Sequence, residues 1–448
     1  MPSGFLLLAG VGAQDQYLSF RDDDLSFDKD TQNLCYTYGQ PNICYFKAVY
    51  RKYTNFAVEN ISQYFTGNVD FGKKVYCDID RIGELMNQVY LHAKLPSLKD
   101  YAYEDQNGNL ISYYWVNAIG HAMIKYVDIE IGDIRVDRQY GIWMEIWSEL
   151  TVDASKRQTF NTLIGKCDSP INLNNDEALN LYVPFQFWFC KNIGLSLPLV
   201  ALQSARVRFI IQFRQVDELI ISSDGNPMNS NDLDTIHMTG AHLEIDYIYL
   251  DEEEKFNFAS RPHQYLIEQV QVNALSLSSS GPLDSGNAPA NLQHTIDLDF
   301  YHPIKEVVWV IQNSSVLSVY PYGGNEWFNF SSQSYKNGEV NGSDPMTNAK
   351  LILEGSDIVE MKDNIFFRSV LPLKYHTSVP NNYIYTYPFA LRPEAWQPSG
   401  ACNMSAFSSK QLYVNISPEL IDPIITIYAL NYNILNIFEG LAGVEYSS

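Results

Sequence analysis

Alternation of apolar and polar residues with a period of two is the sequence feature that most constrains the fold of this chain. In the clearest case, Arg206–Arg214, four apolar side chains (Val207, Phe209, Ile211 and Phe213) share one face, and polar side chains occupy most of the other. Such a pattern is typical of a strand with one buried face in an antiparallel sandwich or barrel. The same alternation recurs at residues 125–131, 243–249 and 295–300.

Helical periodicity is weak by comparison. The best short helix candidates are Gly141–Leu150 and Asp176–Leu181, and neither belongs to a repeating strand–helix series. We therefore expect an all-β protein with small helical insertions.

The length of the chain predicts two domains. A chain of 448 residues exceeds what one core normally supports. The charged run Asp251–Lys255 follows a predicted strand and separates two halves of similar size. Long polar stretches, predicted to be loops that display contact surfaces, occur at residues 153–180, 217–239, 276–293 and 320–349.

Charge and motif content argue against nucleic-acid binding and catalysis. The formal net charge is −22, and no lysine- or arginine-rich run is present, so we expect no direct contact with nucleic acid. The sequence lacks GxxxxGK[ST], HExxH and GxSxG motifs, and no GxGxxG stands at a strand-to-helix turn. No two histidines stand at the i, i+4 spacing of a metal site. We expect no enzymatic activity, no cofactor and no metal.

Two alternatives stay open at this point. Glu145 and Glu149 are a conceivable acid and base pair of a β-sandwich glycoside hydrolase. Glu145 lies among Trp143, Ile146 and Trp147, so a partly buried carboxylate with a structural partner is the competing interpretation. A carbohydrate-binding sandwich is the second alternative, because the predicted loops contain Tyr and Trp side chains.

Sequons suggest weak glycosylation candidates. Among the Asn-x-Ser/Thr sites, Asn329 and Asn341 lie in the polar stretch 320–349 and are expected to be exposed. The apolar opening Gly4–Ala13 carries no positive charge before it, so we expect an N-terminal arm and not a signal peptide.

Specific strings along the chain closely resemble the major capsid proteins of large nucleocytoplasmic DNA viruses. They occur in a fixed order over nearly the whole chain, at Gln14–Leu18, Gly39–Ile43, Tyr45–Glu59, Phe71–Val75, Trp115–Met123, Leu181–Pro184, Gly194–Gln203, Tyr265–Gln269, Pro388–Leu391, Gln397–Gly400 and Tyr428–Asn433.

The resemblance implies two tandem eight-stranded antiparallel jelly rolls with long loops. It further implies that three chains form a pseudo-hexagonal capsomer of an icosahedral virion shell, assembled in the host cytoplasm. The expected partners are neighbouring capsomers, minor capsid proteins and the penton protein, with the inner face near an internal viral membrane. The string Gln14, Asp15, Tyr17 and Leu18 would belong to an N-terminal assembly arm on that inner face.

The resulting domain prediction is residues 1–38 as arm and acidic insert, 39–250 as first jelly roll, 251–262 as linker and 263–448 as second jelly roll. The insert Phe20–Tyr38 departs from the family pattern, in which the first two strings follow each other almost directly. It is either a solvated loop or a lineage-specific contact.

Overall fold

Antiparallel strands dominate the computed structural model, which describes residues 55–167, 178–277, 292–317, 325–333, 342–417, 420 and 422–446. The strands of the first half are β1 (Phe56–Tyr64), β2 (Lys74–Asp78), β3 (Leu85–Leu95), β4 (Tyr103–Glu104), β5 (Leu110–Ile111), β6 (Tyr113–Trp115), β7 (Ile124–Ile131), β8 (Ile134–Tyr140), β9 (Leu179–Pro184), β10 (Leu197–Pro198), β11 (Val207–Phe213), β12 (Ile220–Ser222) and β13 (Gly240–Leu250).

These strands form a first sandwich from two main sheets. One sheet has the order β1-β13-β3-β10 with β9 also paired to β3, and the other has the order β2-β11-β7-β8. Strands β9 and β10 pair with successive parts of β3 and so share one position in the sheet. Two-stranded pairs β12-β6 and β4-β5 are added outside the main sheets.

The second half repeats this plan. Its strands are β14 (His263–Ser276), β15 (Leu292–Asp297), β16 (Pro303–Asn313), β17 (Met346–Leu353), β18 (Ser356–Asp363), β19 (Tyr385–Pro388), β20 (Cys402–Asn403), β21 (Lys410–Ile416), β22 (Pro423–Phe438) and β23 (Leu441–Val444). One sheet has the order β14-β22-β16-β19, with β20 also paired to β16 and β23 also paired to β22, and the facing sheet has the order β15-β21-β17-β18.

The predicted alternating strands are confirmed. Strand β11 lies inside its sheet between β2 and β7, and its predicted inward residues are all buried. Two polar residues predicted on outward faces, Arg214 and Asp128, are buried. Asp128 points away from the core, as predicted, yet it is buried because Arg138 Nε and Nη2 of β8 donate to its two carboxylate oxygens at 2.6 and 2.7 Å.

Short α-helices interrupt the strands in the described residues: α1 (Ile119–Ala122), α2 (Gly141–Thr151), α3 (Ala154–Ile164), α4 (Ser230–Leu233), α5 (Glu252–Ser260), α6 (Ser314–Leu317) and α7 (Leu371–Tyr375). A π-helix, Phe366–Val370, leads directly into α7. Single 3₁₀ turns span Lys99–Tyr101, Trp188–Cys190, Ile193–Leu195, Leu199–Ala201, Asp217–Leu219 and Met404–Ala406. No helix within the described ranges is long and apolar enough to cross a bilayer.

Helix α2 confirms the predicted helix at Gly141–Leu150, whereas two other local predictions are wrong. Within the predicted helix Asp176–Leu181, the described residues from Leu179 onward belong to strand β9, because Leu181 and Val183 alternate into the core and pair with β3. The stretch 153–180, predicted as loop, contains α3, which Asp153 caps by accepting a hydrogen bond from the Ser155 N–H at 2.8 Å.

The described residues fall into two compact units. A small unit contains Asn55–Ala57 and Leu250–Glu254, and within it Asn55 Nδ2 donates to Asp251 Oδ2 at 3.0 Å. The large unit contains both sandwiches.

Gly141 permits the direct passage from β8 into α2. A Cβ at this position would lie 2.2 Å from the backbone oxygen of His121 and 2.3 Å from that of Ile124, so no larger residue fits without moving the backbone.

We predict that Gly141→Ala lowers the free energy of unfolding by roughly 3 kcal/mol or more, because the methyl group overpacks against two backbone carbonyls. Denaturant titration of the purified variant measures this loss. Gly240→Ala is the matched control, because a Cβ there meets nothing within 4 Å and should change stability by less than about 1 kcal/mol. Equal effects of the two substitutions would contradict the packing argument.

Candidate functional site

The candidate functional site is the joint between the two sandwiches, and helix α2 is its central element. Nine of the eleven α2 residues are buried, although the helix lies outside both sheets. Four of them, Trp143, Ile146, Trp147 and Leu150, share a hydrophobic cluster with residues from the second sandwich. A helix that is apolar on most sides is stable only when it is enclosed. The enclosing residues from the second half are Val308, Val310, Phe330, Ile384, Tyr428 and Leu430.

Aromatic contacts fix the position of α2 against the second sandwich. Trp143 stacks on Trp147 with ring centroids 5.3 Å apart and contacts Tyr428 at the same centroid distance. The ring of Trp147 meets that of His376 edge-on at 6.3 Å. Burying a large apolar side chain contributes roughly 1.5–3 kcal/mol, so these tryptophans alone couple the two halves substantially.

The same helix carries two buried glutamates, which form a charge cluster with residues around them. Glu145 is completely buried, with His121 Nδ1 donating to its Oε2 at 2.6 Å and Lys166 Nζ donating to its Oε1 at 2.5 Å. Lys166 also pairs with Glu149, which stands one helical turn further along. Because like charges at i, i+4 on a helix repel each other, this bridging lysine is what allows both carboxylates to be buried together.

The electrostatics of this cluster favour the charged forms of Glu145 and Lys166. Burial by itself raises the pKa of Glu145, but the positive charge of Lys166 and the hydrogen bond from His121 outweigh burial and lower the pKa to about 2. Burial lowers the pKa of Lys166, but the two glutamates reverse that effect and raise it above its usual value. A glycosidase acid needs a carboxyl whose pKa is raised. Glu145 is the opposite case, and the arrangement matches the interpretation of a carboxylate with structural partners.

Arg157 connects the charge cluster to the second sandwich. Its Nη1 donates to Glu149 Oε2 at 2.8 Å, and its Nη2 donates to Ser378 Oγ at 2.8 Å. The backbone N–H of Ser378 donates in turn to the Leu150 oxygen at the end of α2 at 2.9 Å. The segment after α7 is thus attached to both the side chains and the backbone of the α2–α3 corner.

A second ionic group crosses the joint at Glu268 of β14. Lys191 from the first sandwich and Lys305 from the second both donate to its carboxylate. Lys305 is fully buried and also donates to the Ala395 oxygen at 2.9 Å. Burial, followed by the charge of Lys191, lowers the pKa of Lys305 to about 8. A buried charge that loses its partner is strongly destabilising. The group therefore favours the one alignment of the sandwiches in which Lys191 reaches Glu268.

Direct hydrogen bonds also align strand β8 with strand β14. The Val270 N–H donates to Asp137 Oδ1 at 3.1 Å, and the Gln269 amide donates to the Val136 oxygen. Burial raises the pKa of Asp137 to about 7.

The described loop 325–333 of the second half holds the first sandwich from another side. Asn325 Nδ2 donates to the backbone oxygens of Asp217 and Ile220 at 2.7 and 2.9 Å. The Trp327 indole N–H donates to the Glu218 oxygen at 2.8 Å, and the Arg214 guanidinium lies 3.9 Å from the Trp327 ring centroid. These contacts come from the part of the chain that was predicted to be an exposed display loop.

This loop corrects one predicted site. Asn329 was expected to be exposed, but only 1% of it is accessible. Its Nδ2 donates to Glu326 Oε2 at 2.5 Å and to the Gln333 oxygen at 2.9 Å. Since a glycan is attached through this same nitrogen, the folded joint excludes it. The other glycosylation candidate, Asn341, and the arm residues Gln14, Asp15, Tyr17 and Leu18 lie outside the described residues.

A cavity of about 370 Å³ with both polar and apolar lining lies within the joint. Glu145, Glu149 and Lys166 line it from the first half, and Asn325 and Tyr383 line it from the second. Across the described ranges, no group of three or more His, Cys, Asp and Glu side chains is arranged to hold a metal ion. The charged side chains that line the cavity form ion pairs with one another, as Glu145 and Glu149 do with Lys166.

Sequence reasoning identified Glu145 and Glu149 but missed their cations. Lys166 follows α3, and its approach to α2 depends on the α2–α3 corner, which was predicted as loop. Arg157 lies on α3 itself. The capping residue Asp153 and the left-handed Gly165 at the two ends of α3 are the signals from which this helix could have been found.

Comparisons with known proteins give one consistent result. The family described as "Major capsid protein N-terminus" matches residues 44–251, and the family described as "Large eukaryotic DNA virus major capsid protein" matches residues 254–443. The chain is 31% identical over 474 residues to the major capsid protein of Pyramimonas orientalis virus and 30% identical over 554 residues to that of Phaeocystis pouchetii virus. Each comparison covers 100% of both chains.

Solved structures agree with the sequence comparisons. The capsid protein in the quasi-atomic model of the PBCV-1 virus capsid is 25% identical and has a TM-score of 0.73, covering 90% of this chain and 100% of that one. The Faustovirus major capsid protein has the same fold, with a TM-score of 0.69, 13% identity, and coverage of 88% and 93%. These likenesses confirm the predicted double jelly roll.

We predict that Lys166→Met lowers the free energy of unfolding by about 3–5 kcal/mol, because it leaves Glu145 and Glu149 buried without their shared cation. Denaturant titration measures the loss. Lys350→Met is the matched control, since Lys350 pairs with the partly exposed Asp357 at 3.1 Å within one sheet and should cost less than about 1 kcal/mol. A loss for Lys166→Met no larger than that of the control would show that the cluster does not stabilise the fold.

A second prediction concerns pH and His376, whose Nε2 and Nδ1 donate to Glu306 and Glu394 at 2.7 and 3.0 Å. Burial lowers the pKa of His376, but the charges of the two glutamates outweigh burial and raise it to about 9. Because an unfolded histidine titrates near pH 6.5, the imidazolium stabilises the fold fully below that pH and loses this effect as the pH rises through 9.

The stability difference between wild type and His376→Gln should therefore be on the order of 3 kcal/mol larger at pH 6 than at pH 10. Denaturant titrations at both pH values measure it, and subtracting the variant removes the contributions of other titrating groups. His237→Gln serves as control, because His237 is exposed and pairs with Asp70 at the surface. A difference for His376→Gln that does not change with pH would contradict the assignment.

Proposed function

Because the chain belongs to the major capsid protein family of large eukaryotic DNA viruses, we propose that three copies assemble into a pseudo-hexagonal capsomer that tiles an icosahedral virion shell. Family membership identifies the chain as a major capsid protein, a structural component of the virion. The trimeric state and the lattice are the parts that this proposal adds.

The observation that carries the proposal is the joint between the sandwiches. Two sandwiches of similar plan lie in one compact unit, connected by α2, by the hydrogen bond from Arg157 to Ser378, by the Lys191–Glu268 ion pair and by the loop 325–333. Three such chains present six similar sandwiches around one axis, which suits a hexagonal lattice. A lattice of this kind requires a fixed angle between the two sandwiches of each chain, and paired buried charges favour a single alignment.

We also propose how the chain is divided into domains. Residues 39–250 would form the first jelly roll, 251–262 the linker and 263–448 the second, and the family matches at 44–251 and 254–443 support that division. Residues 1–38 would form an inner-face arm, including Gln14, Asp15, Tyr17 and Leu18, that contacts minor capsid proteins near an internal membrane. Further partners would be the penton protein and neighbouring capsomers, with assembly in the host cytoplasm.

A structural role without catalysis is also part of the proposal. The relatives are capsid proteins, and both glutamates of the glycosidase alternative are held by Lys166. The net charge of −22 disfavours direct contact with a nucleic acid backbone and supports a position away from the genome. Glycosylation at Asn341 stays a prediction.

We predict that the purified full chain sediments as a trimer of roughly 150 kDa, three times the 51.1 kDa of one chain. Sedimentation velocity at micromolar concentration gives the mass, and negative-stain images should show hexagonal outlines with three-fold symmetry. A monomer under these conditions, with the thermal unfolding transition of a folded protein, would contradict the proposal.

A further inference from the structure

Charge is distributed unevenly along this acidic chain. Residues 364–417 contain four basic side chains, Arg368, Lys374, Arg392 and Lys410, and a single acidic one, Glu394. The segment therefore carries +3, and since the whole chain carries −22, the remaining 394 residues carry −25. His376 also lies in this segment, but its side chain is buried and pairs with Glu306 and Glu394, so it adds no charge to the surface.

The same segment exposes apolar side chains on one side of a helix. Ile365, Val370 and Leu373 are exposed, and Leu373 is 76% accessible. Ile365 and Val370 are five residues apart across the π-helix, whose i→i+5 geometry places them on the same side, and Leu373 follows one turn later. Phe367 and Leu371 are buried on the opposite side. The helix thus has an apolar face toward the core and a second apolar face toward solvent.

A neighbouring loop exposes apolar and cationic residues beside this helix. Leu391 is 73% accessible, and Arg392 and Trp396 are also exposed. Glu394 attaches the loop to the end of α7, because its carboxylate accepts from the Thr377 N–H at 2.7 Å and from His376 Nδ1 at 3.0 Å. The loop is closed on itself by the Leu391 N–H, which donates to the Ser399 oxygen at 3.2 Å. Helix α7 and the loop that contains Leu391 are therefore connected to each other within the single chain.

We propose that these residues form a contact face for a second copy of this chain. The face, called the cationic apolar surface below, consists of Ile365, Val370, Leu373, Lys374, Leu391, Arg392 and Trp396. This inference rests on the proposed function and deepens it by naming residues of the contact between subunits. Exposed apolar patches bordered by charge mark interaction sites, and here Lys374 and Arg392 are exposed at the border, while exposed Asp363 precedes Ile365.

Charge complementarity identifies the occupant. Two copies of a chain of net charge −22 repel each other unless they meet where the local charges are opposite. Outside residues 364–417 the surface of the second copy is strongly acidic, so it attracts Lys374 and Arg392. The cationic apolar surface repels its own copy, which disfavours a self-complementary two-fold contact. The contact is therefore heterologous, and a heterologous contact that closes produces a ring, as a trimer requires.

The test compares assembly of full-length variants. Leu373→Asp inserts a charge into the apolar centre, and the double variant Lys374→Glu/Arg392→Glu reverses the basic border. Both should raise the concentration needed for half-maximal trimer formation at least tenfold, or abolish hexagonal arrays, with thermal unfolding of the isolated chain unchanged. Raising the salt concentration should weaken wild-type assembly and affect the double variant less. Sedimentation velocity and negative-stain imaging provide the readouts.

Matched controls carry the same changes at other exposed positions. Leu110→Asp alters a leucine of β5 that is 64% accessible, and Lys125→Glu alters an exposed lysine at the start of β7. Both controls should assemble like wild type.

Several outcomes would overturn the inference. If wild type and both variants assemble equally, the cationic apolar surface is not a contact between copies, while the proposed capsomer function stands. If the control substitutions impair assembly as much as the test substitutions do, the loss of assembly is not specific to this surface and the inference is wrong. If assembly is unchanged but the double variant loses binding to vesicles of anionic lipid, the occupant is a membrane. A folded but monomeric wild type would refute the proposed function and this inference together.

Discussion

Enclosing helix α2 between two sandwiches removes Glu145 from water, and the rest of the joint depends on how the chain compensates that burial. An isolated buried carboxylate would cost several kcal/mol, so a cation must be brought to it from elsewhere in the chain. Lys166 provides that cation and simultaneously relieves the repulsion between Glu145 and Glu149. Its position requires the corner between α2 and α3, and the same corner places Arg157 against Ser378 of the second sandwich. The burial of one helix therefore determines how two domains meet.

Local sequence patterns were sufficient to predict individual strands and helices, but not to predict which distant side chains contact each other. The alternation of Val207, Phe209, Ile211 and Phe213 is a property of one strand, and it predicted both the strand and its buried face. The contact between Lys191 and Glu268 joins residues 77 positions apart, and nothing in either neighbourhood indicates the other. Asn329 shows the same limit, because its polar surroundings predicted exposure while distant backbone acceptors at Asp217 and Glu218 draw its loop inward. The overall architecture could be predicted from the family resemblance. The joint could not be predicted, because its contacts connect residues that are far apart in the sequence.

The joint combines apolar and ionic contacts, and the two kinds of contact affect stability and alignment differently. Contacts of Trp143 and Trp147 with the second sandwich supply attraction that depends little on direction. Ion pairs across the joint, such as Lys191 with Glu268, contribute little net stability when formed but cost several kcal/mol when broken. A small rotation of one sandwich against the other would keep much of the apolar contact and still separate the charges. Buried charges therefore restrict the joint to one angle, which apolar packing alone would leave less defined.

A fixed angle inside the subunit matters because contacts between subunits can then be weak. In a closed shell each copy is held by many neighbours, and the effective concentration of the next contact rises as each one forms. An acidic chain keeps free copies apart, and a few basic side chains such as Lys374 and Arg392 limit attraction to particular surfaces. Strong contacts between flexible subunits would trap wrongly curved assemblies, since errors could not dissociate. Rigid subunits joined by weak, charge-selected contacts can dissociate and correct such errors. The contacts inside the subunit therefore need to be strong, whereas the contacts at its surface need to be reversible.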